Sequence, residues 1–251
     1  MSEHVYSSGF YDYIDAGSRR SARHVARLLL AEMKLASLLD VGAGHGAWAA
    51  EWLSAGVTDV VAVDGDYVDR TRLAVPARHF HPHDLLNPFD LGRRFDLVQS
   101  LEVAEHLPHA AADGFVETLT RHGDVILFSA AVPHQGGEHH VNEQWPEYWR
   151  TRFANHGYAA HDWLRPRLAG MRDVMPWYRF NSILYANEQG MARIGPAIAA
   201  TRCPADTPLP RGGDLAWAAR RTLVRLIPSG LVKPIAIAKA RLETGMKPGH
   251  T

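Results

Sequence analysis

Residues 100–108 read SLEVAEHLP, and within them Glu102, Glu105 and His106 stand at i, i+3 and i+4. One helical turn would point all three side chains the same way. Two carboxylates and an imidazole supply half of an octahedral site for Mg²⁺ or a similar divalent ion. The same residues also suit a solvated helix start, where acids meet the positive end of the dipole. A later segment, FSAAVPHQGGEHHVNEQWPEYW at 128–149, is glycine-rich and then places His139, His140, Asn142, Glu143 and Gln144 before an aromatic run. His140 would be a fourth ligand or a general base, since an imidazole near its ordinary pKa serves either role. The plainer alternative is loop polarity satisfied by water, and His134 carries less weight. Eleven of the 15 histidines lie between His79 and His161, so imidazoles concentrate near one set of loops.

A different chemistry is written between Ser37 and Asp64, SLLDVGAGHGAWAAEWLSAGVTDVVAVD. An apolar run ends in Asp40, and Gly42, Gly44 and Gly46 follow. A helical stretch and a second apolar run then end in Asp64. Glycines let the backbone approach a ligand, and an acid at the tip of the second strand can bind both hydroxyls of a ribose.

The elements that must hold these residues follow from periodicity. Strands are expected at 37–41, 59–63, 78–81, 95–101 and 124–130, and helices at 46–55, 67–73 and 109–121. A helix over 18–34 would start at Ser18 as N-cap. Pro146 would open another helix, Gly157 would end it, and 158–164 and 180–186 read as two closing strands. Strands and helices alternating at this rhythm imply an α/β fold, a doubly wound and mostly parallel sheet. Ligands of such sheets lie beyond the carboxyl ends of the strands. That directs attention to Gly42 to Gly46, Asp64 to Asp66, Asp84, Leu101 to His106 and Ala131 to His140.

The chain has 251 residues, with 46% hydrophobic and 22% charged, enough for one large globular domain with an appendage. We divide it into a domain at 1–187, with a helical N-terminal cap at 1–35, and a basic helical extension at 188–251. From Asn187 onward there are 10 Lys/Arg against 4 Asp/Glu, so the body is acidic and the tail basic. An acidic body argues against nucleic acid as its partner. The stretch DLAWAARRTLVRLI at 214–227 is amphipathic and basic. Packing on the body or on the partner of a homodimer is preferred for it over a substrate lid or contact with a membrane surface. The single cysteine, Cys203, excludes an internal disulfide. No window approaches the about 18 apolar residues of an integral membrane segment. The first residues lack a secretory pattern, and a cytoplasmic location is the expectation.

The glycine turn alone fits two cofactors. G42-A-G44-H-G46-A47 satisfies the dinucleotide pattern G-x-G-x-x-A, and it also fits the D-x-G-x-G turn of class I S-adenosylmethionine methyltransferases. Three features decide against NAD. Asp40 precedes the first glycine, Asp84-Leu85 follows the third strand where an acid can accept from an adenine amino group, and two strand-like segments around one helix replace a second mononucleotide half. Together these resemble the class I methyltransferase fold over roughly residues 20–186, with seven strands and the last antiparallel. The resemblance implies that Gly42 and Gly44 approach the methionine part of S-adenosylmethionine, that Asp64 binds its ribose, and that Asp84 and Leu85 frame its adenine. Asp40, Gly65 and Ser100 complete the expected cofactor set. The aromatic stretch Phe10 to Tyr13, with Ser18 and Arg19, would close over the amino-acid end.

E-V-x-E-H at 102–106 is similar to the metal segment of small-RNA 2′-O-methyltransferases and of ubiquinone-pathway O-methyltransferases. GGEHHVNEQWPEYW and WYRFNSILYAN (177–187) resemble O-methyltransferases of bacterial polysaccharide and glycoside pathways, including those acting on mycobacterial methylmannose polysaccharide. This implies a sugar or oligosaccharide acceptor, with Trp145, Tyr148, Trp149, Trp177 and Tyr178 stacking on sugar faces or, equally, serving as core. A small phenol or quinone, an RNA 2′-hydroxyl and a non-catalytic cofactor-binding regulator are the competing readings.

Overall fold

The computed structural model describes the backbone of residues 8–226 and side chains from residue 15 onward. The aromatic stretch Phe10 to Tyr13 therefore lies outside the described side chains, and 227–251 outside the description altogether. Seven strands run β1 (Ser37–Val41), β2 (Asp59–Asp64), β3 (Phe80–Pro82), β4 (Leu97–Leu101), β5 (Val125–Ser129), β6 (Ala159–His161) and β7 (Ile183–Ala186). They form one sheet in the order β3-β2-β1-β4-β5-β7-β6. The pairs among β1 to β5 are parallel, and β7 runs antiparallel to both β5 and β6. The chain turns back between β3 and β4, so the carboxyl ends of β1 and β4 flank the switch point.

Nine helices accompany the sheet among the described residues: α1 (Ser8–Leu30), α2 (Ala47–Ser54), α3 (Ala112–His122), α4 (Pro146–Asn155), α5 (Leu164–Leu168), α6 (Pro176–Asn181), α7 (Glu188–Met191), α8 (Pro196–Ala199) and α9 (Leu215–Leu226). Both sheet faces are covered, and successive strand residues divide between them. Leu38, Leu97, Leu127 and Leu184 face one core with Val25, Leu29, Trp48 and Trp52. Leu39, Val98, Ile126 and Ile183 face the other with Phe115, Leu119, Trp149 and Phe153. A register slip of one residue in any of these strands would exchange the two sets. No helix among the described residues is long and apolar enough to cross a membrane.

The structure moves several boundaries. The first helix begins ten residues before Ser18, so Ser18 is no cap. Its buried hydroxyl lies 3.1 Å from that of Tyr178, and Ser21 bonds back to the Gly17 carbonyl at 2.8 Å, both inside a continuing helix. Residues 67–73 supply only a short turn at Arg70–Arg72. Phe180 and Asn181 end α6 instead of opening β7, and β6 keeps three residues because Leu164 already starts α5.

Phe153 carries much of the second core. It is fully buried, stacks on Tyr185 with ring centroids 4.1 Å apart, and meets Phe128 edge-on at 5.2 Å. Phe153→Ala should cost about 3–5 kcal/mol in urea unfolding, and a cost below about 1 kcal/mol would contradict this packing.

Candidate functional site

The turn after β1 is built from left-handed backbone. Gly42, Gly44 and Gly46 have φ of 84°, 55° and 80°, which a side chain tolerates poorly. At Gly42 a Cβ would also lie 2.2 Å from Val103 Cγ2. Gly44 faces open space, and its amide donates to Asp64 Oδ2 at 2.6 Å. Asp64 is buried, and its Oδ1 accepts from Gly65 N at 2.7 Å and from the Tyr67 hydroxyl at 2.5 Å. The acid at the tip of β2 thus ties both glycine segments to one point. Tyr67 escaped the sequence reading because nothing in DGDY marks a tyrosine that returns to the aspartate.

Asp40 and Ser100 are buried, and among the described residues Asp40 Oδ2 and Ser100 Oγ have no hydrogen-bond partner. Burial raises the Asp40 pKa from 3.8 to about 7; Gln99 opposes the shift and Asp64 adds to it. Gln99 is itself fixed by the Trp52 indole, which donates to its Oε1 at 2.8 Å. Asp84 follows β3 as expected. It is exposed and closes its own loop by accepting from Leu86 N at 3.1 Å and Asn87 Nδ2 at 3.2 Å, while Leu85 packs on the second core. Arg19 Nη1 donates to Glu51 Oε1 at 3.0 Å.

The segment after β4 is not a single helical turn. Glu102 has φ 58°, and a short turn over Ala104–His106 follows it. Glu102 and Glu105 therefore serve different partners. Glu102 accepts from Gln135 Nε2 at 2.6 Å and Asn181 Nδ2 at 3.1 Å, and Asn181 also donates to Gln135 Oε1 at 2.8 Å. The ligand atoms of Glu105, His106 and His140 lie within 4.8 Å of one another, and Glu102 is outside that group. Gln135 and Asn181 were not foreseen. A lone Asn in the run FNSILYA was the available signal, but its partner is 46 residues away.

Glu105 is 1% exposed, and among the described residues neither carboxyl oxygen has a hydrogen-bond partner. Desolvation, then the charge of Glu102, raises its pKa well above the usual carboxylate range; the backbone amides of Glu105 and Ala131 oppose its protonation without preventing the rise. Its carbonyl accepts from Val141 N at 2.8 Å and Asn142 N at 3.0 Å, which draws the later loop against the turn. His140 Nε2 lies 4.0 Å from Glu105 Oε1, and its Nδ1 lies 2.9 Å from Glu143 Oε1. We assign the Nδ1 proton to that carboxylate contact, which leaves the Nε2 lone pair directed at Glu105. Glu143 also accepts from His134 N at 2.8 Å and Gly136 N at 3.1 Å. Against the cost of burial, the His140 hydrogen bond and these amides hold the Glu143 pKa low. His106 meets His140 edge-on at 4.9 Å. Desolvation, and then the His140 ring, lowers the His106 pKa from 6.5 to about 4 and favours the neutral imidazole.

Of the five aromatics considered for stacking, Trp149 and Tyr178 are core residues. Trp177 packs against the first core and Tyr148 against the second. Trp145 stands beside the histidine loop. Helix α9 packs on that same loop: Arg220 Nη1 donates to Gln135 O at 2.5 Å and Arg221 Nε to Pro133 O at 3.1 Å, with Trp217 buried against Phe180.

A sequence profile described as a methyltransferase domain matches residues 13–164. Two solved structures share the fold with TM-scores of 0.52. One is Streptomyces venezuelae DesVI, 15% identical and aligned over 74% of this chain and 99% of its own. The other is the sugar N-methyltransferase KedS8 from Streptoalloteichus sp ATCC 53650, 18% identical over 74% and 97%. No curated protein matches the sequence.

Asp40 binds its proton more tightly in the folded chain than in the unfolded one. Its stabilising contribution is therefore present below the unfolded pKa and is lost as pH climbs from about 4 toward about 7. Asp40→Asn keeps the shape without the charge. It should gain at least about 1 kcal/mol over the natural chain at about pH 8 and little at about pH 4, read from guanidinium unfolding. An equal effect at both pH values would contradict the shift.

Proposed function

This chain belongs to the methyltransferase-domain family and is an S-adenosylmethionine-dependent methyltransferase; from that premise we propose that it methylates a hydroxyl of a sugar or oligosaccharide, a mannoside in the narrowest form, with a divalent ion held by Glu105, His106 and His140. The observation that carries the reading is the buried Glu105 carboxyl, unpartnered at both oxygens among the described residues and grouped with two imidazoles. The donor set fits a cation: one acid in need of a positive partner and two nitrogen lone pairs. Two imidazoles favour Mn²⁺, Fe²⁺, Co²⁺ or Zn²⁺ over the hard, oxygen-seeking Mg²⁺. When bound, such an ion would lower the pKa of a coordinated hydroxyl.

The cofactor end is proposed from the same geometry. Asp64 would exchange its Tyr67 hydrogen bond for a ribose hydroxyl, and Gly44, open to solvent, would receive the methionine portion. Val103 packs on Gly42, so the segment carrying Glu105 directly adjoins the donor turn. The C–S bond of the sulfonium would break as the new C–O bond forms, leaving S-adenosylhomocysteine and the methyl ether, with the hydroxyl proton released to bulk water or, where His140 serves as base, taken by its Nε2. Alignment and exclusion of water supply most of the remaining acceleration.

His140 Nε2 cannot act as ligand and base at once. Its grouping with Glu105 and His106 supports ligation. The pairing of Nδ1 with Glu143 supports the second reading, in which Nε2 takes the hydroxyl proton directly. An amine acceptor needs only loss of its own proton, so the clustered ligands argue for oxygen in preference to nitrogen.

Calorimetry should give tight binding of S-adenosylhomocysteine and none of NADH, with Asp64→Asn weakening the former at least about tenfold. Methyl transfer to a mannoside panel should vanish in excess chelator and return with Mn²⁺. Full activity in chelator, together with loss in His140→Ala, would replace the metal reading by the base reading. NADH binding alone would defeat both.

A further inference from the structure

Trp145 closes the loop that carries His140 and Glu143 and caps α4. Two guanidinium groups lie on its indole, Arg211 at 4.2 Å and Arg221 at 4.7 Å from the ring centroid. Among the described residues Arg211 makes no hydrogen bond or ion pair, and Arg221 donates only through Nε, to Pro133 O. The outer N–H groups of both forks are thus without protein acceptors. Burial and then the neighbouring Arg211 disfavour the charged form of Arg221, so the two cations repel each other. Glu143 is the acid facing Arg220 and Arg221, and it is already occupied by His140 Nδ1 and two backbone amides. Among the described residues, positive charge is therefore left uncompensated next to the histidine loop.

We propose that the acceptor carries an anionic group, a carboxylate or a phosphate, and that Arg211 and Arg221, both seated on the Trp145 indole, bind it through their outer N–H groups. Stacked guanidinium planes are pre-oriented, and their forks match either anion in bidentate fashion. Glu143 connects this subsite to the proposed ligands, with His140 on one side and the arginines on the other. The acceptor's charge would fix which hydroxyl reaches the Glu105 group. This selectivity rests on the reading of that group as the acceptor site; the arginine–tryptophan subsite itself does not.

The test is calorimetry on the full chain loaded with S-adenosylhomocysteine, with D-mannose, D-mannuronate and mannose 6-phosphate as probes. At least one anionic probe should bind about tenfold more tightly than mannose, and the ratio should fall toward one in Arg211→Gln and in Arg221→Gln. Preference for mannuronate would assign a carboxylate, and preference for mannose 6-phosphate a phosphate. Equal binding of all three, or a preference that survives both substitutions, would overturn the proposal. A short single-stranded RNA that displaces every probe would overturn it in favour of a nucleic-acid backbone. If mannose binds and is methylated with no anionic preference, the sugar reading stands and this inference falls. If 4-hydroxybenzoate binds with the same dependence on Arg211 while the sugars do not, this inference stands and the sugar reading falls.

Discussion

A carboxyl group removed from water with no hydrogen bond at either oxygen is a costly thing for a folded chain to keep. Among the described residues Glu105 is such a group, and the segments after β4 and β5 are arranged around it. Its carbonyl pins Val141 and Asn142, so the loop after β5 folds back onto the turn after β4. That return brings His140 to the acid, and Glu143 then holds the imidazole by its far nitrogen. Glu102 is kept out of the group by Gln135 and Asn181, whose amides give it the hydrogen bonds that Glu105 lacks. Two adjacent acids therefore have different environments: one satisfied by amides, the other waiting for a proton or a cation.

The sheet separates the proposed donor end from the proposed acceptor end. Strands β1 and β2 end in the glycine turn and Asp64, and strands β4 and β5 end in the Glu105 turn and the histidine loop. The two halves meet at Val103, whose methyls occupy the space a side chain at Gly42 would need. Glycine there is thus required twice, by φ and by contact, and the contact belongs to the acceptor segment. Helix α9 adds a third layer by holding the histidine loop through carbonyls of Pro133 and Gln135.

Much of this was legible in the sequence because it is local or periodic. Leu38-Leu39, Leu97-Val98 and Ile126-Leu127 read as strands buried on both faces, and the glycine spacing with Asp64 marked the turn. His140 was singled out by its loop, and the structure brings it to Glu105 and His106. What could not be read depends on long-range partners or unusual backbone. Spacing predicts one face for Glu102, Glu105 and His106, but a left-handed Glu102 breaks the turn. Ser18 looks like a cap until Tyr178, 160 residues later, is seen to take its hydroxyl. Trp149 and Trp145 look alike in sequence, yet one is core and the other is flanked by arginines.

The claim at the centre of this account is that Glu105, His106 and His140 hold one divalent ion. Electron paramagnetic resonance of Mn²⁺ titrated into the protein tests it without reference to any acceptor. One bound ion per chain, with couplings from imidazole nitrogens and loss of binding in Glu105→Gln, is the predicted result. A spectrum of free aqueous Mn²⁺ throughout the titration, or binding undiminished by Glu105→Gln, would contradict it.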